Sequence, residues 1–306
     1  MKKFIGFLML CLCCTTFTAC EFGDSIGTPN GEENLSNLYL QSRTEESVSY
    51  NLGSNVVSIK STTSNVFTYE ENRVVREVLD YAAQQYKGGE VVHSQTHHEE
   101  VNYSWNGLAC TQEWQSGNVV EEYLDDTYLR VKKLETGNYK QVREYDGKKI
   151  IKEYRYLDGE LQYEIEYEYD GLTATFTQTN HILESPDMNG IQMWCVGGKV
   201  TYLDDTYLRT AYQEVEYAND FGDRHKVLTT NTYNGTQLVK SEVRIEGSYR
   251  GYQYSDNAIV SLAEYEWDGL KCTGTITNYH QDPQPPYNEH NGMVSGVTNV
   301  EMTYLK

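Results

Sequence analysis

Proline is scarce in this chain, with five in 306 residues, and phenylalanine is little commoner at seven. Basic residues also run short: 25 Lys and Arg stand against 45 Asp and Glu, giving a formal charge of −20. Such an acid excess excludes a nucleic-acid partner, because phosphate backbones are bound through clustered Lys and Arg. Past the first twenty residues no apolar run is long enough to cross a bilayer as a helix. No H-E-x-x-H pair and no phosphate-binding P-loop occurs. What the chain has instead is tyrosine, 27 of them. A large ring with a polar tip suits the half-buried surface of a sheet.

The N-terminus reads as an address. Met1-Lys2-Lys3 is basic, residues 4–17 are uncharged and largely apolar, and Thr18-Ala19 sets small residues before Cys20. These are the parts of a cleaved secretory signal over residues 1–19. The Cys directly after Ala19 resembles the lipobox of bacterial lipoproteins. That resemblance implies a diacylglyceryl lipid on Cys20 as the membrane anchor, with Phe17 departing from the usual Leu; ordinary secretion is the alternative. Cleavage leaves Cys110, Cys195 and Cys272 as three thiols with no CxxC spacing, which argues against a disulfide framework. Residues 20–45 are rich in Gly, Asn, Ser, Thr and Glu and read as a flexible stalk reaching roughly 25–30 Å. An edge strand at Leu38-Tyr39-Leu40 is the competing reading.

Residues 46–306 read as one domain. Thr68 and Glu71 fit a capping box, and Val74, Val75, Val78, Leu79, Ala82 and Tyr86 recur at helical spacing up to Gly88-Gly89. The pattern predicts one packed N-terminal helix over residues 70–87. Everything after it alternates with period two. Leu161, Tyr163, Ile165, Tyr167 and Tyr169 share one face, and Glu160, Gln162, Glu164, Glu166 and Glu168 the other. Asp170-Gly171 then signals a tight hairpin turn. With both residues central in the turn, Tyr169 would face Leu172, Tyr167 would face Ala174 and Ile165 would face Phe176.

The unit recurs. Tyr103-Ser104-Trp105-Asn106-Gly107-Leu108-Ala109-Cys110-Thr111 and Tyr265-Glu266-Trp267-Asp268-Gly269-Leu270-Lys271-Cys272-Thr273 match residues 167–175. The segment Tyr-Leu-Asp-Asp-Thr-Tyr-Leu-Arg stands at residues 123–130 and again at 202–209, with a remnant at Thr303-Tyr304-Leu305. The expected architecture is all-β: a large twisted antiparallel meander, either an open curved sheet or a barrel, with partial repeats at the two ends hinting at closure. These Tyr-Asp-Gly hairpins resemble the tyrosine-rich YD-like repeats of bacterial envelope proteins. Signal, stalk and repeats together resemble the envelope lipoproteins of gut Bacteroidetes. The resemblance implies an outer-membrane lipoprotein facing the periplasm or the cell surface, and it specifies architecture rather than chemistry.

Several residues are candidates for chemistry. Asp125-Asp126 and Asp204-Asp205 are paired carboxylates that could hold a hard cation, or could bond their own turn amides. His93, His97 and His98 with Glu99 and Glu100 form the densest metal-capable cluster, but on a strand His93 and His97 lie about 13 Å apart, too far to share an ion. Cys110 and Cys272 stand where the middle hairpin has Ala174, which reads as a small buried slot opposite a tyrosine. Cofactors are not expected. Trp114 and Trp194, outside the repeated hairpin position, and Tyr287, in the proline-bearing loop 281–290, are the tentative ligand-binding aromatics. Three functions follow in order: a non-enzymatic envelope lipoprotein binding a glycan or an envelope protein, a structural or assembly subunit with no small ligand, and a carboxylate-dependent glycoside hydrolase. The first requires Trp114 or Trp194 in a concave patch, the second a long unprotected strand edge, the third a close carboxylate pair in a cleft.

Overall fold

The computed structural model describes residues 39–71, 73–181, 193–219, 221–256, 258–285 and 287–305. The signal, Cys20 and most of the stalk lie outside the described residues. The first strands are β1 (Tyr39–Tyr50), β2 (Val57–Glu70), β3 (Arg73–Lys87), β4 (Glu90–Asn106), β5 (Ala109–Trp114), β6 (Gly117–Tyr123) and β7 (Val131–Thr136). There follow β8 (Tyr139–Asp146), β9 (Lys149–Leu157), β10 (Glu160–Asp170), β11 (Thr173–Asn180), β12 (Met193–Tyr202) and β13 (Thr210–Asn219). The last are β14 (Arg224–Asn234), β15 (Gln237–Tyr249), the two-residue β16 (Tyr252–Gln253), β17 (Ala258–Asp268), β18 (Lys271–Tyr279) and β19 (Val294–Leu305). Each pairs antiparallel with its chain neighbour, β16 sits outside the ring, and β1 pairs with β19. The result is a closed barrel of 18 strands. Closure is the outcome that the partial end repeats pointed to, and it removes the open-sheet alternative.

The helix expected over residues 70–87 does not form. Those residues are the end of β2 and all of β3, with Glu70 opposite Arg73. Three β-branched valines in six residues favour a pleated surface over a helix. The turn was hidden because Glu71, at φ 48°, stands where the sister hairpins carry Gly147 and Gly235. The hairpin turn also lies one residue later than expected, which moves each cross-strand partner by two. Tyr169 faces Ala174, Tyr167 faces Phe176 and Ile165 faces Gln178. Only Gly171 has positive φ, so it is the first central residue and Leu172 the second, the pattern of a type II′ turn. Finally, β1 takes in Tyr39–Glu45, which composition had assigned to the stalk.

Alternation sorts the two barrel faces. Tyr163, Ile165, Tyr167 and Tyr169 of β10, Ala174 and Phe176 of β11, and Val101, Tyr103 and Trp105 of β4 turn inward, where they are buried or half-buried. Glu166 and Glu168, Thr175, Thr177 and Thr179, and Thr96, His98 and Glu100 turn outward and are exposed. Outward ion pairs lace neighbouring strands, among them Lys152 with Glu166, Lys226 with Glu214 and Lys271 with Glu301.

Three six-strand units build the ring. In each, an aromatic at the hairpin end donates to a carbonyl on the preceding hairpin: Trp105 Nε1 to Val74 O at 2.7 Å, Tyr169 OH to Ile150 O at 3.0 Å, Trp267 Nε1 to Leu238 O at 2.8 Å. A second tyrosine donates one strand further back: Tyr69 OH to Leu40 O at 2.8 Å, Tyr145 OH to Val131 O at 2.9 Å, Tyr233 OH to Thr210 O at 3.2 Å. Each bond satisfies the polar tip of a ring whose body is buried. The start of β1 meets the end of β19, at Tyr39 and Leu305, where the first two units carry the loops of residues 124–130 and 203–209.

Candidate functional site

The repeated acidic loops are built around their own residues. The Asp125 carboxylate accepts from the Thr127 amide at 3.1 Å and the Thr127 hydroxyl, and from Arg130 Nη1 at 3.3 Å. Asp204 accepts in the same way from the Thr206 amide at 3.0 Å, the Thr206 hydroxyl and Arg209. Burial pushes the Asp204 carboxyl up, but the Thr206 bonds and Arg209 outweigh it and hold it below the usual carboxylate range. Arg130 also donates to Thr206 O at 2.8 Å, so the two loops touch across that end of the barrel. Asp126 and Asp205 are exposed. These four residues are arranged for turn formation and loop contact.

Inside the second unit, Glu153 lies between Arg143 and Arg155, at 2.9 and 3.1 Å. Burial alone would raise its carboxyl, but the two guanidiniums outweigh burial and hold it below the ordinary value. Arg155 also lies over the Tyr163 ring. The equivalent carboxylate in the first unit, Glu77, accepts from Tyr103 OH at 2.7 Å and from Asn65. Sequence reasoning missed these inward carboxylates because each stands singly within its strand, outside the repeated hairpin motif. Cys110 and Cys272 are free thiols, buried opposite Trp105 and Trp267 rather than opposite tyrosines, as Ala174 is opposite Tyr169. Burial pushes both thiols up to about 12. Cys195 is half-buried, its thiol also pushed up by burial.

The tentative aromatics do not converge. Trp114 is half-buried on the inward parity of β5, its Nε1 donating to Gln112 Oε1 at 3.0 Å. Trp194 lies opposite Ala218 on the outward parity of β12, seven strands further round the ring. Tyr287 begins a short 3-10 helix, Tyr287–His290, in the loop between β18 and β19.

What the structure does expose is an edge. β4 is 17 residues long but its partner β5 only six, and β5 pairs with Asn102 through Asn106 alone. From Glu90 to Val101 β4 is paired to β3 on one side, and among the described residues no strand lies along the other. The tip of the β5–β6 hairpin covers the last part of that stretch, where the Gln115 amide donates to Glu99 Oε1 at 2.5 Å. Residues 90–98 remain as an open edge, with the turn glycines Gly88 and Gly89 at its outer end. The histidine cluster belongs to this strand. His97 Nε2 lies 3.0 Å from Glu99 and His98 Nδ1 2.7 Å from Asp80 on β3, which raises the His98 imidazole above its ordinary value. Val91 and Val92 are about half exposed, at 49% and 55%. The stretch carries no proline or lysine, two of the usual guards of a free edge, but its register with β3 shifts at Val92.

No protein-family model and no curated protein matches the chain. Among solved structures it is similar to a porin-like protein from Bacteroides uniformis ATCC 8492, at 9% identity and a TM-score of 0.43, over 87% of this chain and 96% of that one. A likeness of that degree transfers neither location nor activity.

Proposed function

We propose that this chain is a non-enzymatic envelope lipoprotein, tethered through a lipid on Cys20, whose barrel works outside the bilayer by adding a strand from another protein to the free edge of β4. The observation that carries the reading is the stretch of β4 that runs past β5, regular from Ser94 to His98 beyond the register shift at Val92. Such an edge offers a row of backbone donors and acceptors to an extended partner, with alternate side chains supplying selectivity. A protein partner is favoured over a glycan because Trp114 and Trp194 lie on opposite faces, seven strands apart, and form no common patch. Carboxylates on the outward faces, ion-paired to neighbouring strands, support a barrel in water, since a charge on the lipid face costs about 2–4 kcal/mol at mid-membrane.

The test is cross-linking in the intact envelope from a photoreactive residue at Thr96. A discrete cross-linked product, absent when the same residue replaces outward Thr177 on β11, supports strand addition. No product from Thr96 sinks it. A Cys20→Ala chain that stays with the membrane fraction would sink the lipid tether.

A further inference from the structure

At the end of the barrel away from the loops of residues 124–130 and 203–209, β15 runs past its last partner on β17, Ala258 opposite Ile245, and turns back as β16. Arg250 and Gly251 make the turn at φ 56° and 76°, the backbone of a type I′ hairpin. Residues 249–256 thereby form a strap. Its Tyr254 amide donates to Gly247 O at 2.9 Å, and its Gly251 amide donates to Asp223 Oδ1 at 2.8 Å. His225 lies against it. The imidazole stacks on Tyr217 of β13, with 5.1 Å between centroids, and the Tyr254 ring meets it edge to face at 6.2 Å. Gly247 stands opposite His225 in register, and a Cβ there would run into Arg224 O and the His225 Cα, so glycine is what lets β15 lie this close. His225 Nδ1 is buried and has no hydrogen-bond partner among the described residues. We propose that residues 249–256 are a pH-sensitive strap, latched over neutral His225 and released when the imidazole takes up a proton.

A neutral imidazole suits that place because one ring nitrogen carries no proton. An imidazolium has a proton on both, and the one on Nδ1 would be a charged donor buried without an acceptor. The Tyr217 face attracts a cation but cannot accept that proton as a carbonyl or carboxylate would. The charged groups nearby are few. Asp223, from the turn between β13 and β14, bears on the imidazole directly and raises it, but burial is the larger effect and holds it below its ordinary value. Asp282, from the loop between β18 and β19, acts on Tyr254. Arg250 reaches away to Gln284, and Arg224 is turned outward to Glu216. Burial pushes the Asp223 carboxyl up, but bonds from Asn219 and the Gly251 amide outweigh it and hold the carboxyl below the carboxylate range. Asp223 is therefore ionised wherever His225 titrates. A group whose folded value is lowered contributes its full stability above the unfolded value, about 6.5 for histidine, and loses it as pH falls through the folded one. Acid thus opens the strap. Release gives up the Tyr254–Gly247 and Gly251–Asp223 bonds and the Arg250–Gln284 contact at 3.1 Å, so the β13–β14 turn, the strap and the β18–β19 loop loosen together.

Amide hydrogen exchange on the full chain between about pH 7.5 and about pH 5 tests this, with protection expressed against an unstructured peptide at each pH. The Gly251 and Tyr254 amides should lose protection below about pH 6.5, by about tenfold for each unit that burial takes from the imidazole. Amides of β14 and β15 between Val227 and Ile245 should keep theirs. His225→Phe leaves a ring on Tyr217 that cannot take a proton, and its strap should stay equally protected throughout. Should that ring disturb the fold, Tyr254→Ala supplies a second reading: uncovering the imidazole should move its own titration, followed by NMR, up toward 6.5. Constant protection of the Gly251 and Tyr254 amides in the unsubstituted chain overturns the proposal, as does a His225→Phe strap that still opens with acid. An unmoved titration in Tyr254→Ala overturns the latch. Loss of protection at every amide together would mean global unfolding and overturns the strap as a separate device.

Discussion

Among single residues, the slots behind the hairpin aromatics are the most constrained. Cys110 and Cys272 fill the place that Ala174 fills in the second unit, and all three are essentially without solvent contact. Replacing Cys272 with Ala should therefore cost less than about 1.5 kcal/mol, whereas Leu should cost about 1–3 kcal/mol by overpacking against Trp267. Thermal melting of the two variants checks the order. That the slot is small and buried was legible from the repeat alignment; that it faces a tryptophan was not, because the turn assignment was one residue off. Glu153 makes a second case. Its carboxyl is held below the ordinary value by Arg143 and Arg155 against the opposing effect of burial. The stability it contributes is present above the unfolded value of about 4.3 and is lost as pH falls through the lower folded value. Both arginines keep some solvent contact, so Glu153→Gln should cost about 2–3 kcal/mol at neutral pH, below the 3–5 kcal/mol of a fully buried pair. Urea denaturation should show the gap between wild type and variant closing below about pH 4. A gap unchanged down to pH 2 would sink the assignment.

Hairpins carried most of what the sequence made legible. Period-two alternation and the Gly-bearing turns reveal strands from Glu90 onward, because each unit repeats the same nine residues in the same context. The expected helix failed where the repeat had drifted: Glu71 replaced the turn glycine, and valines at helical spacing concealed a strand. Tyr69, Arg73 and Val74 align with Tyr145, Lys149 and Ile150, and then with Tyr233, Gln237 and Leu238. That alignment would have exposed the hairpin without any glycine. Drift at Glu71 has an energetic consequence too. A left-handed backbone costs a non-glycine residue roughly 1–2 kcal/mol, and Glu71 pays it at φ 48° while Gly147 and Gly235 do not. Glu71→Gly should stabilise the protein by about 0.5–1 kcal/mol once the extra freedom of the unfolded glycine is counted. Gly147→Ala should destabilise by a similar or larger amount. Opposite signs at equivalent positions are the signature to look for in denaturant midpoints. The edge of β4 was harder to read, because an unpaired edge depends on the lengths of two strands and only the pattern of each was visible.

For the molecule as a whole, closure and surface chemistry have to be read together. Eighteen strands joined by β1 to β19 leave no edge around the ring itself, and among the described residues the longest stretch of strand paired on one side only is on β4, where it runs beyond β5. A barrel in lipid turns its apolar residues outward and pays heavily for charges at mid-membrane. Here the hairpin aromatics face inward together with the Glu77 and Glu153 clusters, and the outward face carries further ion pairs: Lys152 with Glu166 between β9 and β10, Lys240 and Arg244 with Glu242 on β15, Lys271 with Glu301 between β18 and β19. Ion pairs of this kind are worth little in water, at most about 1 kcal/mol each, and they tolerate it without cost. Buried in hydrocarbon they would oppose insertion on several sides of the ring at once. The full chain bearing Cys20→Ala, which removes the anchor proposed above, should accordingly remain in solution without detergent and melt cooperatively there. Adding detergent micelles should leave its melting temperature unchanged and its sedimentation free of a bound micelle. Detergent-dependent solubility, or a large upward shift of the melt in micelles, would mean that the outward face meets lipid after all. Strand addition at β4 would then have to occur within a membrane rather than beside one.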